Sequence, residues 1–156
     1  MLESWRWFGP DDPVSLENIV QAGAQCVVTS LHHVPTGAAW PAADIDARKR
    51  EIESRGLQWG VVESIPVHNA IKTASGDYQT YIDNHQLSLL RLGDAGLAVV
   101  CYTFMPVVDW TRTNLENALP NASRAMRFEM TDFVAYDVFI LERAGAAADY
   151  TEALLD

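Results

Sequence analysis

Three short apolar runs, rich in β-branched residues, limit most strongly how this chain can fold. They are Cys26–Ser30, Gln58–Val62 and Leu97–Tyr102. Each run is too short for a helix, and each is almost continuous in hydrophobicity where a half-exposed strand would alternate. Strands of this kind are covered on both faces, as in a parallel sheet flanked by helices. We therefore predict an α/β fold built on a parallel sheet.

The segments between these runs have helical periodicity, and glycines close them. The predicted helices are Ser15–Ala22, Asp44–Arg55 and Asp77–Gly93. A glycine lies between the end of each predicted helix and the next strand, at the position of a left-handed C-terminal cap. These glycines are Gly23, Gly56 and Gly96. Repeated αβ units form an open doubly wound sheet or a (β/α)8 barrel. Because the sequence has no Gly-x-Gly-x-x-Gly or Gly-Lys-Ser/Thr phosphate loop, we prefer the barrel.

The pattern changes after the third run. Residues 114–129 are predicted to form a small β-hairpin inserted into the third βα loop, and Thr131 is predicted to cap a helix that reaches about Arg143. A complete barrel needs about 250 residues. We therefore expect residues 1–156 to be one segment of a single barrel domain, with about three βα units.

Charge and composition exclude several classes of partner. The chain has 11 Lys and Arg against 21 Asp and Glu, a net charge of −10, which argues against binding to nucleic acid or to an anionic membrane. No apolar stretch approaches the roughly 18 residues of a membrane span, and the N-terminus lacks signal-peptide features. Cys26 and Cys101 lie in apolar runs and are predicted to be free thiols. We expect a cytoplasmic protein that acts on a small molecule.

Polar residues follow the predicted strands, where ligands bind in parallel α/β folds. His32 and His33 follow the first run, Glu63 follows the second, and the third contains Tyr102 and precedes Asp109. Adjacent histidines in extended chain point to opposite faces, so at most one of the pair can reach a ligand. The sequence has no close-spaced metal signature such as His-Glu-x-x-His and no Gly-x-Ser-x-Gly elbow. An anionic ligand would need a cation nearby, and the candidates are Arg6, Lys72 and Arg112.

Four ordered blocks of the sequence closely resemble the N-terminal part of the D-mannonate dehydratase family. The blocks are Trp5–Leu16, Val27–Pro35, Val61–His68 and Cys101–Thr113. The resemblance implies a (β/α)8 barrel related to the xylose-isomerase-like sugar enzymes. It also implies conversion of D-mannonate to 2-dehydro-3-deoxy-D-gluconate and water, with Mn²⁺ or Fe²⁺, in the catabolism of glucuronate and other hexuronates. In that chemistry a divalent cation stabilises the charge that develops when the proton α to the carboxylate is removed.

Family members are much longer than this chain, which we therefore expect to be inactive alone. No metal ligand is assigned here, because the resemblance implies that the ligands lie beyond residue 156, and no catalytic acid or base is assigned. The residues expected to hold the sugar acid are Trp7, His32, His33, Glu63, Tyr102, Asp109 and Arg112. Association into a homo-oligomer is left open. Two alternatives remain: a related barrel enzyme that acts on a different sugar acid, and a non-catalytic assembly or binding module.

Overall fold

The computed structural model describes residues 1–101, 103–105 and 111–155, and the chain divides into two compact units, Met1–Pro106 and Val107–Asp156. The elements of the first unit alternate between strands and helices. In chain order they are β1 (Ser4–Arg6), α1 (Leu16–Gln21), β2 (Cys26–Thr29), α2 (Ala42–Glu53), β3 (Gln58–Val62), α3 (Asn69–Thr73) and α4 (Tyr78–Asp94). The strands form a parallel sheet in the order β1-β2-β3, as the sequence predicts.

Within its described residues, the third apolar run pairs with β3 through one regular bridge. Val100 bridges Val62 in the parallel sense. The backbone N–H of Val62 donates to the carbonyl of Val99 at 2.9 Å, and that of Cys101 donates to the carbonyl of Val62 at 2.8 Å. The run therefore lies beside β3 as predicted, while Tyr102 is outside the described residues.

Strand β1 is not predicted by the sequence pattern. This strand has three residues and pairs with β2 through Ser4 with Cys26 and Arg6 with Val28. A three-residue strand with a serine and an arginine has no apolar run that periodicity could detect. As a result, the histidine pair follows the second strand and Glu63 the third, where we had predicted the first and second.

The predicted helices and their glycine caps are present in the first unit. Helices α1, α2 and α4 begin and end within two residues of the predicted bounds. The three glycines that close them have φ of +85°, +76° and +81°, the left-handed conformation that glycine adopts without steric cost. Helix α3 was not predicted, and it begins where Nδ1 of His68 accepts a hydrogen bond from the backbone N–H of Ala70 at 3.1 Å.

The apolar core of the first unit packs the helices against one face of the sheet. It comprises Trp7, Leu16, Ile19, Val27, Leu31, Trp40, Ile45, Ile52, Leu57, Trp59, Val62, Ile65, Leu92 and Leu97. Val27 and Trp59 are paired in register on this face, and both are buried. Arg6, Val28 and Val61 alternate with these residues and so lie on the opposite face, where they are only half-buried. That face is less covered than the sequence predicted.

The second unit contains the predicted hairpin. Strands β4 (Asn114–Ala118) and β5 (Arg124–Arg127) pair antiparallel. The helix after it, α5 (Met130–Ala135), continues as a π-helix at Tyr136–Ile140, so Thr131 is not its cap and the helix stops short of Arg143.

Helix α5 begins earlier than predicted because Glu129, still extended, donates its backbone N–H to Thr113 Oγ1 at 2.9 Å. A 3₁₀ turn at Ala146–Asp149 and α6 (Glu152–Leu155) complete the second unit. Across the described parts of both units, none of the helices has the length and apolar content that crossing a bilayer requires.

Candidate functional site

Three polar side chains lie where the parallel strands end: Arg6, His32 and Glu63. We call them the carboxyl-edge cluster. Arg6 is the last residue of β1, and Glu63 directly follows β3. Nε of Arg6 is 3.6 Å from Oε2 of Glu63. Because β2 lies between these two strands, the ion pair crosses the end of the central strand. The guanidinium is also fixed by the backbone, since its Nη1 donates to the carbonyls of Trp7 and Val28, both at 3.2 Å.

Backbone and hydroxyl hydrogen bonds hold the segment that carries Glu63. The N–H of Glu63 donates to the carbonyl of Thr29 at 3.0 Å, and Oγ of Ser30 donates to the carbonyl of Ser64 at 2.8 Å. The side chain of Glu63 remains 49% exposed. A carboxylate with one long ion pair and half its surface open can still accept hydrogen bonds from a hydroxylated ligand.

His32 lies beside an exposed aromatic ring. Its imidazole centroid is 6.0 Å from that of Phe8, and the guanidinium carbon of Arg6 lies 4.5 Å from the centre of the same Phe8 ring. Partial burial lowers the pKa of His32, and the positive charges of Arg6 and Arg48 lower it further. The ring is therefore neutral at pH 7, with one nitrogen that donates and one that accepts.

His33 faces a different neighbour. Its Nε2 is 3.0 Å from Oδ2 of Asp44 on α2, and its side chain is 56% exposed. His32, by contrast, lies near Phe8 and Gly9. The two adjacent histidines therefore have separate surroundings.

The remaining predicted site residues lie in the core of the first unit, in the second unit or outside the described residues. Trp7 is 3% exposed and belongs to the core, with the guanidinium carbon of Arg48 5.0 Å from its ring centre. Arg112 lies in the second unit, where its Nη1 donates to the carbonyl of Thr111 at 2.7 Å. Tyr102 and Asp109 lie outside the described residues.

Two arginines were not among the predicted site residues: Arg6, which is part of the cluster, and Arg48, which lies near it. The sequence indicates Arg6 only as one of three cations available to an anionic ligand, because β1 has no apolar run to show that Arg6 ends a strand. Arg48 gave no signal, because it occurs in a helix whose sequence is mostly charged. Burial of one charged residue among several cannot be read from periodicity alone.

The described residues do not form a metal site by themselves. No three of their His, Cys, Asp and Glu side chains lie close enough to hold an ion. The cluster instead offers a cation, an acceptor and a neutral imidazole: Arg6 can pair with a carboxylate, and Glu63 and His32 can hydrogen-bond hydroxyl groups. This set of groups suits a hydroxylated acid.

The fold and the cluster define an α/β protein with polar groups gathered at the carboxyl edge of a parallel sheet, where such folds bind small ligands. A family model described as D-mannonate dehydratase (UxuA) matches residues 1–147. The chain belongs to this family, as its sequence blocks had led us to expect.

Named relatives agree with this assignment. The mannonate dehydratase of Saccharophagus degradans is 61% identical over 156 residues, and that of Marinomonas sp. is 52% identical over 152 residues. These alignments cover 100% and 97% of this chain but 39% of each relative. The crystal structure of mannonate dehydratase from Streptococcus suis serotype 2 is similar with a TM-score of 0.84 and 41% identity, covering 96% of this chain and 43% of that one. The chain therefore spans well under half the length of these relatives.

Proposed function

We propose that this chain is the N-terminal part of a mannonate dehydratase, which converts D-mannonate to 2-dehydro-3-deoxy-D-gluconate and water. The observation that carries the proposal is the Arg6–Glu63 ion pair beside His32 at the carboxyl edge of the sheet, in a chain of this family. We assign the activity to the intact protein and expect this chain alone to be inactive.

The carboxyl-edge cluster would bind the sugar acid through complementary groups. D-Mannonate has one carboxylate and several hydroxyl groups, so the guanidinium of Arg6 can pair with its charge while Glu63 and the neutral His32 bind hydroxyls. The proposal includes a (β/α)8 barrel in which the half-buried face of the sheet points inward. Trp7 would act by packing beneath the cluster. The assignments of His33, Tyr102, Asp109 and Arg112 to the sugar acid remain predictions.

The remaining parts of the proposal concern the intact enzyme. Mn²⁺ or Fe²⁺ would be held by residues outside this chain, and the binding roles given above do not depend on the metal. We propose that the enzyme is cytoplasmic, acts in the catabolism of glucuronate and other hexuronates, and has no nucleic-acid or membrane partner. A homo-oligomer is compatible with this proposal.

The experiment is a dehydratase assay on D-mannonate with added Mn²⁺. It compares this chain with a protein extended to the full length of the relatives. Activity only in the extended protein is the expected result. Activity in neither would favour an enzyme for another sugar acid or a non-catalytic module, and activity in the short chain alone would contradict our account of the missing metal ligands.

Glu63→Gln in the extended protein tests the cluster itself. We expect turnover to fall at least tenfold, about 1.4 kcal/mol of transition-state stabilisation, because the amide lacks the charge that pairs with Arg6. Glu53→Gln is a matched control: Glu53 is 51% exposed and pairs with Lys49 at 3.8 Å, against 49% and 3.6 Å for Glu63. Wild-type turnover in Glu63→Gln would remove this residue from the site.

A further inference from the structure

Arg48, on α2, is a buried cation close to the carboxyl-edge cluster. Its side chain is 7% exposed, and its guanidinium carbon lies 5.0 Å from the ring centre of Trp7. Its Nη1 is 2.9 Å from the point that a Cβ on Gly9 would occupy. The guanidinium therefore contacts an indole face and lies close to the turn at residue 9, which has no side chain.

Hydrogen bonds do not compensate for this burial. Among the described residues, Nη1 of Arg48 has no hydrogen-bond partner, and the ion pair with Glu51 joins Nε to Oε2 at 3.5 Å. Burying an unpaired charged donor is costly, and an apolar side chain of similar size would avoid that cost. Packing against Trp7 alone does not account for a charge at this position.

His32 is the group of the cluster that this charge can influence. The Cβ position at Gly9 that lies beside Nη1 of Arg48 is also 3.5 Å from Nδ1 of His32, so both side chains contact the same turn. The charged and titratable groups that face His32 are Arg6 from β1, Arg48 from α2, Asp12 from the turn and the adjacent His33.

Asp12 gives the turn a defined shape. Its carboxylate accepts hydrogen bonds from the backbone N–H groups of Phe8 at 2.7 Å and Val14 at 2.9 Å, and its own N–H donates to the carbonyl of Gly9 at 2.9 Å. Gly9 adopts a φ of +96°, which side chains rarely allow. The guanidinium of Arg48 thus packs against a turn whose backbone is already restricted.

We propose that Arg48 is a positioning residue: its guanidinium fixes the turn at Gly9 and thereby holds His32 at the carboxyl edge, where the proposed function requires it to bind the sugar acid. Burial and Arg6 oppose protonation of His32, and the charge of Arg48 adds to their effect. A neutral imidazole keeps an acceptor nitrogen for a substrate hydroxyl, which a protonated ring would lose.

The test uses the protein extended to the length of its relatives. Arg48→Met removes the charge and keeps the length of the side chain, whereas Arg48→Lys keeps the charge. Arg50→Met is the matched control, because Arg50 is on the same helix and is exposed. NMR of isotope-labelled histidine follows the titration of His32, whose resonance is assigned by its loss in His32→Gln.

We expect the titration midpoint of His32 to rise in Arg48→Met and to keep its wild-type value in Arg48→Lys and Arg50→Met. For D-mannonate, kcat/KM at pH 7 should fall about tenfold in Arg48→Met, since misplacing a binding group slows the reaction. In Arg48→Lys, part of this loss should be absent. In Arg48→Met, the acid limb of the pH profile of kcat/KM should move to higher pH, together with the titration midpoint of His32.

An unchanged His32 midpoint in Arg48→Met, with kcat/KM equal to that of Arg50→Met, would overturn the proposal and leave the proposed function standing. Loss of thermal stability without a change in the His32 midpoint would overturn it too, as it would show a structural role only. If Arg48→Met does not fold, Arg48→Gln replaces it as the uncharged variant. If the wild-type extended protein does not turn over D-mannonate, the proposed function fails, and the His32 midpoint still decides whether Arg48 acts on His32.

Discussion

Replacing Gly60 by alanine is expected to create a collision with one atom. Gly60 lies in β3 where the register with β2 shifts between Val27 and Val28, which makes it the extra residue of a β-bulge. A Cβ built on Gly60 would be 2.2 Å from Sγ of Cys26 and 3.9 Å from Cβ of Cys26. The first distance is a severe overlap and the second is an ordinary contact. Among the described residues, the sulfur of Cys26 is therefore the atom that collides with a Cβ at position 60.

The size of the effect follows from these two distances. Cys26 is 2% exposed, so its thiol has little space to move, and we expect Gly60→Ala to lower the free energy of unfolding by about 2 kcal/mol. In a Cys26→Ala background the same substitution meets no clash and gains about 0.5 kcal/mol, because alanine restricts the unfolded chain more than glycine does. The double-mutant cycle should therefore give a coupling energy of about 2.5 kcal/mol.

Equilibrium unfolding in urea, under reducing conditions, measures these variants through tryptophan fluorescence, since Trp59 is buried beside Gly60. With a slope of about 2 kcal/mol per M, Gly60→Ala should lower the midpoint by about 1 M. Gly93→Ala is the matched control: this α4 glycine is exposed, its built Cβ meets nothing within 4 Å, and the variant should gain about 0.5–1 kcal/mol. The reasoning is refuted if Gly60→Ala keeps the wild-type midpoint, or if Cys26→Ala fails to relieve its effect.

Two further predictions concern buried polar groups. Ser88→Ala should lower the free energy of unfolding by about 1–3 kcal/mol, because the buried backbone N–H of Trp40 loses its acceptor, Oγ of Ser88 at 2.9 Å; an unchanged urea midpoint would contradict this. In the second unit, hydrogen bonds from Arg143 and Tyr150 hold the pKa of Asp137 below its ordinary value. These bonds therefore stabilise the folded unit above about pH 4, and the stabilisation is lost as the pH falls through the lowered pKa. Hydrogen exchange of residues 111–155 should therefore accelerate below that pH in the wild type, and it should depend less on pH in Asp137→Asn. The same pH dependence in both proteins would show that this carboxylate does not stabilise the unit.

Local patterns predicted most elements of the first unit. Apolar β-branched runs identified β2 and β3 because a buried strand needs both properties over a short length. Glycines at positions 23, 56 and 96 marked helix ends because each adopts a positive φ there. The same approach missed β1 and α3, which are short and have too few apolar residues to produce a periodic signal.

The candidate site was only partly predictable. The sequence predicts His32 and Glu63 as candidates because they come shortly after apolar runs, and their positions after parallel strands place them at one edge of the sheet. Trp7, predicted to touch the ligand, lies in the core because its position at the end of β1 turns it toward the helices. The packing of Arg48 on the Trp7 ring is a contact that the sequence pattern does not show.

The sequence by itself determined β2, β3, the three longer helices of the first unit, the glycine caps and the family, because these depend on residues that are neighbours along the chain. Only the tertiary structure decided which charged groups meet. Arg6 reaches Glu63 because β1 and β3 flank β2 in one parallel sheet, and Arg48 is buried because α2 packs one of its several charged positions against Trp7. Distant contacts of this kind depend on how strands pair and helices pack, which local patterns of hydrophobicity do not specify.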